Sequence, residues 1–564
     1  MKALGSFRRR MARTLGSAGL VLFAATGCGG TEGGSVATET DSGTNAQDVA
    51  VDAADASGAD VTPRGLVYLH DPETDQGQTT EVTLVAPTDP GGMLLGPYAD
   101  VKNCLNELGG EEIRQSGQKV GAFCKEVHTA KRGADGTWLH VKPPTDASDP
   151  NDAFAEVQMY HHVHEAHGYF KGRFGLTDLD YPLDALVNVN LYIEPDIAVL
   201  IGATPGWQGY PNAAFVPKEG FAAFKLPPRE AGAIIFGQYG PTDLSYDASV
   251  IYHEYTHAMI GTTRLASLLP DVYGLDHMPG AMNEGFADYF AATMTNHPVI
   301  GAYGIAFAGP HMVRDLSVIR RCPDDLTGES HADGRVLSSA LWRIRAQVGA
   351  DRADGVILRA LQAFTKATNM TAAAKLMVSE AEAEDANMAA TFAKILKEHG
   401  VDGCERIKEW KAWKVEDTPD KVAYTMMGKQ EFGGNAAFPD GVPGHLQFYV
   451  SLPSTTKAVT LRWQAEAHGF FSQPATAIAV NPAQPPTVNF VDTSISARAV
   501  LPMSPDPDSI EWQSLTLAGK CIGGHGGKLF VLPLNQGQNS ARVTRMEVVV
   551  HKSMPSGPNL RSCE

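Results

Sequence analysis

Residues 249–260 read Ser249-Val-Ile-Tyr-His-Glu-Tyr-Thr-His-Ala-Met-Ile260. A helical pattern over 247–262 sets His253 and His257 one turn apart on the same face, because side chains at i and i+4 stack along a helix. Two imidazoles so placed converge on one metal ion, and Glu254 between them in sequence reaches a water held there. Val250, Ile251, Ala258 and Met259 make the helix apolar and predict that it lies in a core.

A catalytic zinc site takes three protein ligands, so a third is needed. A third histidine six residues beyond His257, preceded by a glycine, is not available, since those positions are Thr263 and Ile260. The stretch Asn283-Glu284-Gly285-Phe286-Ala287-Asp288-Tyr289-Phe290 supplies a carboxylate, Glu284, at the start of a second apolar helix. Asp288 stands one turn further on, where it can accept the outer N–H of a ligand histidine and set its tautomer.

With these residues the chain resembles the gluzincin metalloproteases of the thermolysin and fungalysin-like group, over roughly residues 150–405. The resemblance implies His253, His257 and Glu284 as ligands of one Zn2+, Glu254 as general base and Asp288 as the carboxylate behind a ligand histidine. Asn212-Ala213-Ala214-Phe215 is similar to the edge strand along which substrate backbone lies in that family, implicating Asn212 and Ala213. Val313-Arg314-Asp315-Leu316-Ser317 resembles the segment whose arginine contacts the substrate carbonyl, hence Arg314. His331-x-x-Gly334 followed by Ser338-x-Ala340-Leu341-Trp342 is similar to the segment carrying a transition-state-stabilising histidine, hence His331. Tyr273, lying before Glu284, is the candidate for the family's tyrosine, and Asp324 and Asp325 are the candidates for a Ca2+ site. The implied reaction is hydrolysis of peptide bonds in proteins by metal-activated water. The chain departs from the family in having 26 residues between His257 and Glu284, more than thermolysin itself, and in lacking room in 63–150 for a long pro-region.

Outward from this core, helical patterns recur at 151–170, 282–296, 335–348, 353–366, 371–384 and 386–399. Strand-like runs precede and follow them: Thr80–Ala86, Thr137–Lys142, Leu186–Ile193 and Ala233–Phe236, then His445–Leu452, Ala458–Gln464, Thr487–Val491, Lys528–Leu532 and Arg542–His551. The fold class expected is α+β: a thermolysin-like catalytic domain with a β-rich N-lobe and a helical C-lobe over 151–412. It is flanked by an N-terminal β-rich domain over 63–150 and a C-terminal β-sandwich over 413–564. His161, His162, His164 and His167 interrupt an amphipathic run and read as packing residues, as do Trp410 and Trp413.

The chain has 46 Lys and Arg against 64 Asp and Glu, a net charge of −18, which repels phosphate backbones and excludes nucleic acid as a partner. Lys2, Arg8, Arg9, Arg10 and Arg13 precede an apolar run from Leu15 to Ala25, too short to span a membrane and laid out as a secretory signal over 1–27. Ala25-Thr26-Gly27-Cys28 resembles a bacterial lipobox and points to lipidation at Cys28, anchoring the chain to the cell envelope at the outer membrane or cell surface. Residues 28–62 carry acids but no base or aromatic after the cysteine, and read as a disordered tether.

Seven cysteines minus Cys28 leave six for an oxidising compartment. Many pairings are open; the sequential one, Cys104–Cys124, Cys322–Cys404 and Cys521–Cys563, closes short loops and is favoured. Two other functions compete with a lipid-anchored endopeptidase acting on proteins or peptides. A gluzincin aminopeptidase needs a Gly-Ala-Met-Glu-Asn strand before the zinc helix, whereas Gly280-Ala281-Met282 follows it. A surface adhesion protein with a vestigial protease core is the other.

Overall fold

The computed structural model describes residues 61–563 apart from 116–117, 202, 224–228, 309–311, 418–421, 430–437, 468–473, 508 and 524–526. The signal segment 1–27, Cys28 and nearly all of the tether expected over 28–62 lie outside the described residues. The described chain is α+β, with nine α-helices and several sheets.

The first half is built on a nine-stranded sheet. Its strands, after a hairpin of β1 (Arg64–Val67) and β2 (Thr80–Thr83), are β3 (Ala99–Leu105), β4 (Glu112–Gln115), β5 (Gln118–Phe123), β6 (Lys125–Val127), β7 (Leu183–Ile193), β8 (Gly206–Gly209), β9 (Ala213–Val216), β10 (Ala233–Tyr239) and β11 (Thr242–Asp243). The long β7 is its axis. The first part of β7 pairs in parallel with β3 and with β10, and its second part pairs antiparallel with β5 and β8. Asn188, between the two parts, has φ 56, a left-handed conformation that asparagine tolerates better than most residues. β9 pairs antiparallel with β10 and lies at an edge. Parallel strands need a crossover, and helix α1 (Phe154–Phe174) provides it between β3 and β7.

Two short helices, α2 (Pro195–Ile201) and α3 (Lys218–Ala223), flank the sheet. Next come α4 (Ala248–Ile260), a hairpin of β12 (Leu269–Asp271) and β13 (Gly274–Asp276), and α5 (Met278–Thr295). β14 (Val299–Ile300) pairs with β15 (Arg314–Asp315), and α6 (Ser330–Val348), α7 (Ala350–Gln362), α8 (Met370–Glu384) and α9 (Ala386–Glu398) complete the helical half. Each expected helix forms within a few residues of its expected bounds. No helix among the described residues is long and apolar enough to cross a membrane.

The remainder forms two antiparallel-rich sheets of six and seven strands. They share a core that includes Phe448, Leu529 and Val531 from one sheet and Leu461, Trp463, Leu515 and Val543 from the other, the sandwich expected. Trp410 is buried and stacks on Trp463 at 5.6 Å, a packing role.

Three expectations are corrected. Residues 63–150 are not a separate domain, because β3, β5 and β6 belong to the sheet organised by β7 and the apolar core runs on from Leu66 through the helices. The sandwich begins before 413: β16 (Ile407–Glu409) already pairs in parallel with Gln447–Leu452 of its six-stranded sheet. Thr137–Lys142 is a turn that buries Trp138, with the Val141 N–H donating to the Trp138 carbonyl, in place of a strand. The three disulfides are Cys104–Cys124, Cys322–Cys404 and Cys521–Cys563, the sequential pairing.

Candidate metal centre

Helix α4 starts where Asp247, in an extended conformation, accepts hydrogen bonds from the Ser249 and Val250 N–H groups. The other Asp247 oxygen accepts from the Tyr303 and Gly304 N–H groups, so one carboxylate fixes both the helix start and the loop over it. Every residue of α4 is buried, which fits its apolar composition on all sides. Gly261, at φ 65, ends it.

Helix α5 packs across α4 and brings Glu284 to the two histidines. The His253 and His257 Nε2 atoms are 3.0 Å apart and lie 3.2 and 3.3 Å from Glu284 Oε2. All three residues are buried. The tautomers follow from the outer nitrogens. His253 Nδ1 is 2.9 Å from Asp288 Oδ1, and a carboxylate only accepts, so that nitrogen carries the proton. His257 Nδ1 is 3.1 Å from Asn283 Oδ1, an acceptor as oriented. Both Nε2 atoms therefore turn lone pairs toward each other and toward Glu284 Oε2, itself buried without a hydrogen bond.

Three acceptors facing one point repel unless a cation stands between them. A tetrahedral ion with bonds of about 2.0–2.1 Å requires ligand atoms about 3.3 Å apart, close to the separations found. Two imidazoles and one carboxylate fit zinc and leave a fourth position for water or substrate. Among the described residues this is the one group of three or more His, Cys, Asp or Glu side chains whose ligand atoms come together. Asp324 and Asp325 form no such group: the Asp324 carbonyl accepts from Lys408 and the Asp325 carboxylate from the Arg321 N–H.

The surroundings are charged and buried. Arg314 Nε donates to both Asp288 oxygens at 2.9 Å, and its Nη2 lies 3.5 Å from His253 Nδ1. Burial alone raises the Asp288 pKa, but Arg314 and His253 outweigh it and hold it at about 2. Burial also opposes ionisation of Glu284, yet the charge on the His331 imidazole, 3.3 Å away, keeps it well below the usual carboxylate range. A metal cation supplies the same compensation.

His331, at the start of α6, lies with Nε2 3.3 Å from Glu284 Oε2 and Nδ1 2.8 Å from Glu329 Oε1. Glu329 also caps α6, accepting from the His331 and Ala332 N–H groups. Burial opposes protonation of His331, but Glu284 and Glu329 lift its pKa to about 9. β9 passes α4, and the Phe215 N–H donates to Glu254 Oε2 at 2.7 Å, setting the plane of that carboxylate. Ala213 pairs with Phe236 of β10, and the Asn212 carbonyl accepts from the Gly237 N–H, so both lie along the sheet edge.

The fold thus gathers His253, His257, Glu284, Asp288, Arg314, His331 and Glu254, with Asn212 and Ala213 on the adjoining strand. Tyr273 does not join this cluster by any contact found. It sits at the β12–β13 turn, 40% exposed, its N–H bonded to Asp271 and its carbonyl to Gln447 of the sandwich. Three residues were missed from sequence: Asn283 behind His257, Glu329 behind His331, and Phe215 behind Glu254. Asn283 and Glu329 stand one and two positions before residues already singled out, which is the signal that could have found them. The four histidines of α1 form no metal group: His162 bonds to Tyr252 and Tyr68, His164 to Tyr160, and His167 to Asp180.

No protein-family model matches the chain, and a search of curated proteins finds no match.

Proposed function

We propose that the chain is a zinc-dependent endopeptidase of the gluzincin type, with a thermolysin-like arrangement around one Zn2+. The observation that carries this reading is the convergence of two Nε2 lone pairs and Glu284 Oε2, each about an ion's coordination edge apart, with His331 against Glu284 and Glu254 next to His253 on the same helix.

His253, His257 and Glu284 hold the ion, which when bound supplies Lewis-acid polarisation of the scissile carbonyl and a more acidic water. Glu254, its plane set by the Phe215 N–H, takes the proton of the attacking water and hands it to the leaving amine. The edge of β9 at Ala213 receives the substrate backbone by strand addition, while the Asn212 N–H and carbonyl, bonded to Tyr210 and Gly237, hold the start of that edge in place. His331, kept protonated by Glu329, donates to the oxygen on which negative charge develops; Arg314, for which the resemblance implies a contact with the substrate carbonyl, is buried on both Asp288 oxygens and holds Asp288 and with it His253. Export and lipidation at Cys28 remain part of the proposal and tether the enzyme outside the cell, where the three disulfides are stable.

Purified protein should contain one zinc per chain and cleave unfolded proteins such as casein, with cleavage lost in Glu254→Gln while zinc is retained. Zinc without turnover on several unfolded proteins would sink the peptidase reading and favour a binding protein built on an inactive core. A peptide-library digest separates endopeptidase from aminopeptidase cleavage.

A further inference from the structure

The loop 322–329, which delivers Glu329 and His331 to the metal centre, is held from the side of the C-terminal sandwich. Cys322 is bonded to Cys404, just before the first strand of the sandwich. Lys408, on β16, donates to the carbonyls of Asp324 and Leu326 at 2.8 and 2.9 Å. The Thr425 N–H, on a strand Tyr424–Met426 of the seven-stranded sheet, donates to the Thr327 carbonyl at 3.0 Å. Gly328 has φ 85 and lies so near that strand that a Cβ would come within 2.8 Å of the Thr425 carbonyl oxygen.

The same loop is tied to the helices by one buried carboxylate. Asp333 accepts from the N–H groups of Thr327 and Gly328, and His277, at the start of α5, lies 2.6 Å from it. His277 in turn packs against His445 of the sandwich, ring centroids 4.8 Å apart. Loop, helix starts and sandwich therefore share one junction beside the metal centre.

We propose that the sandwich is a working part of the catalytic centre: through Cys404, Lys408 and Thr425 it clamps loop 322–329 and so sets the Glu329–His331 pair against Glu284. Lys408 and Thr425 are positioning residues, acting through His331 and touching no substrate. This rests on the peptidase reading for its effect on turnover, while the clamp itself is a property of the fold. Displacing a catalytic group by about 1 Å costs up to about 10²-fold in rate, so a loop held from outside the helical half is sufficient to control activity.

Two variants of the full chain test it. Lys408→Met keeps the side-chain length and removes both donations. Thr425→Pro removes one N–H that points away from the strand's partner, a position where proline is tolerated. Each is assayed for circular dichroism, zinc content, amide hydrogen exchange over 322–333, carbethoxylation of His331, and kcat and KM on a peptide. We expect wild-type circular dichroism and zinc, exchange and carbethoxylation faster by about tenfold, and kcat lower by about tenfold with KM within about twofold. Wild-type exchange and carbethoxylation rates in both variants overturn the clamp. Faster rates in a protein whose wild type cleaves nothing support the clamp and overturn the peptidase reading instead.

Discussion

Gly285 and Gly334 pass each other in contact where α5 crosses α6. A Cβ on Gly285 would lie 2.6 Å from the Gly334 carbonyl oxygen, and one on Gly334 would lie 2.5 Å from that of Ala281. This close approach lets the start of α6 lie against Glu284, bringing His331 Nε2 to 3.3 Å from its carboxylate. Gly334→Ala should force the helices apart, lowering stability by about 1–3 kcal/mol through overpacking. It should also cut cleavage far more than that loss of folded protein explains. Thermal unfolding alongside cleavage of a peptide checks both; a variant with wild-type kcat would mean that the crossing does not set His331.

Metal removal should loosen the fold as well as stop turnover. Three mutually repelling acceptors are left in a buried place, so chelated protein should melt lower and recover on adding Zn2+. At free zinc one hundred times its dissociation constant, the ion contributes about 2.7 kcal/mol. Asn283→Ala removes the acceptor behind His257 and should weaken zinc binding by about 10- to 100-fold. Competition against a chromophoric chelator measures this, and unchanged affinity would remove Asn283 from the site.

Glu329 should govern the alkaline side of the pH profile. In the proposed mechanism His331 is a donor only while protonated, so activity should be present below its pKa and lost as pH rises through it. The two flanking carboxylates put that pKa at about 9, and a bound cation offsets the part due to Glu284. The alkaline limb should therefore lie below about 9 and move lower still in Glu329→Gln. A limb that stays in place in this variant assigns it to another group.

Glu156, buried on α1, accepts from the Thr129 and Ala130 N–H groups and has no cationic partner among its hydrogen bonds. Burial pushes its pKa from 4.5 up to about 7. The folded chain therefore keeps a proton that the unfolded chain releases between those values, and stability falls as pH rises across that window. The fall amounts to about 3 kcal/mol. Asp152 and Asp243, raised by burial to about 6 and about 7, add slopes of the same sign. Glu156→Gln should reduce the slope of unfolding free energy between pH 4.5 and 7 without removing it. An unaltered slope in urea titrations would show that Glu156 is ionised throughout.

The candidate ligand set is legible in the sequence because it is local. His253 and His257 are bound together by the helical repeat, and Glu284 and Asp288 by the next one, so period and residue type sufficed. The same holds for α4 to α9, where apolar spacing over a dozen residues exceeds the noise of any one position. Short strands fared less well. Thr137–Lys142 alternates like a strand, but Trp138 is drawn into the core below β1 and the backbone turns to bury it.

Sequence alone therefore determined the long helices and the residue types able to hold an ion, because helical spacing acts over a few residues. Tertiary structure alone decided which distant segments meet: the Phe215 N–H on Glu254, Arg314 on Asp288, and the sandwich behind the His331 loop. It also decided that β3, β5 and β6 belong to the sheet of β7 and that Tyr273 stands apart at a hairpin tip. These contacts depend on pairing and packing between residues tens to hundreds of positions apart, for which no periodicity within one segment carries a signal.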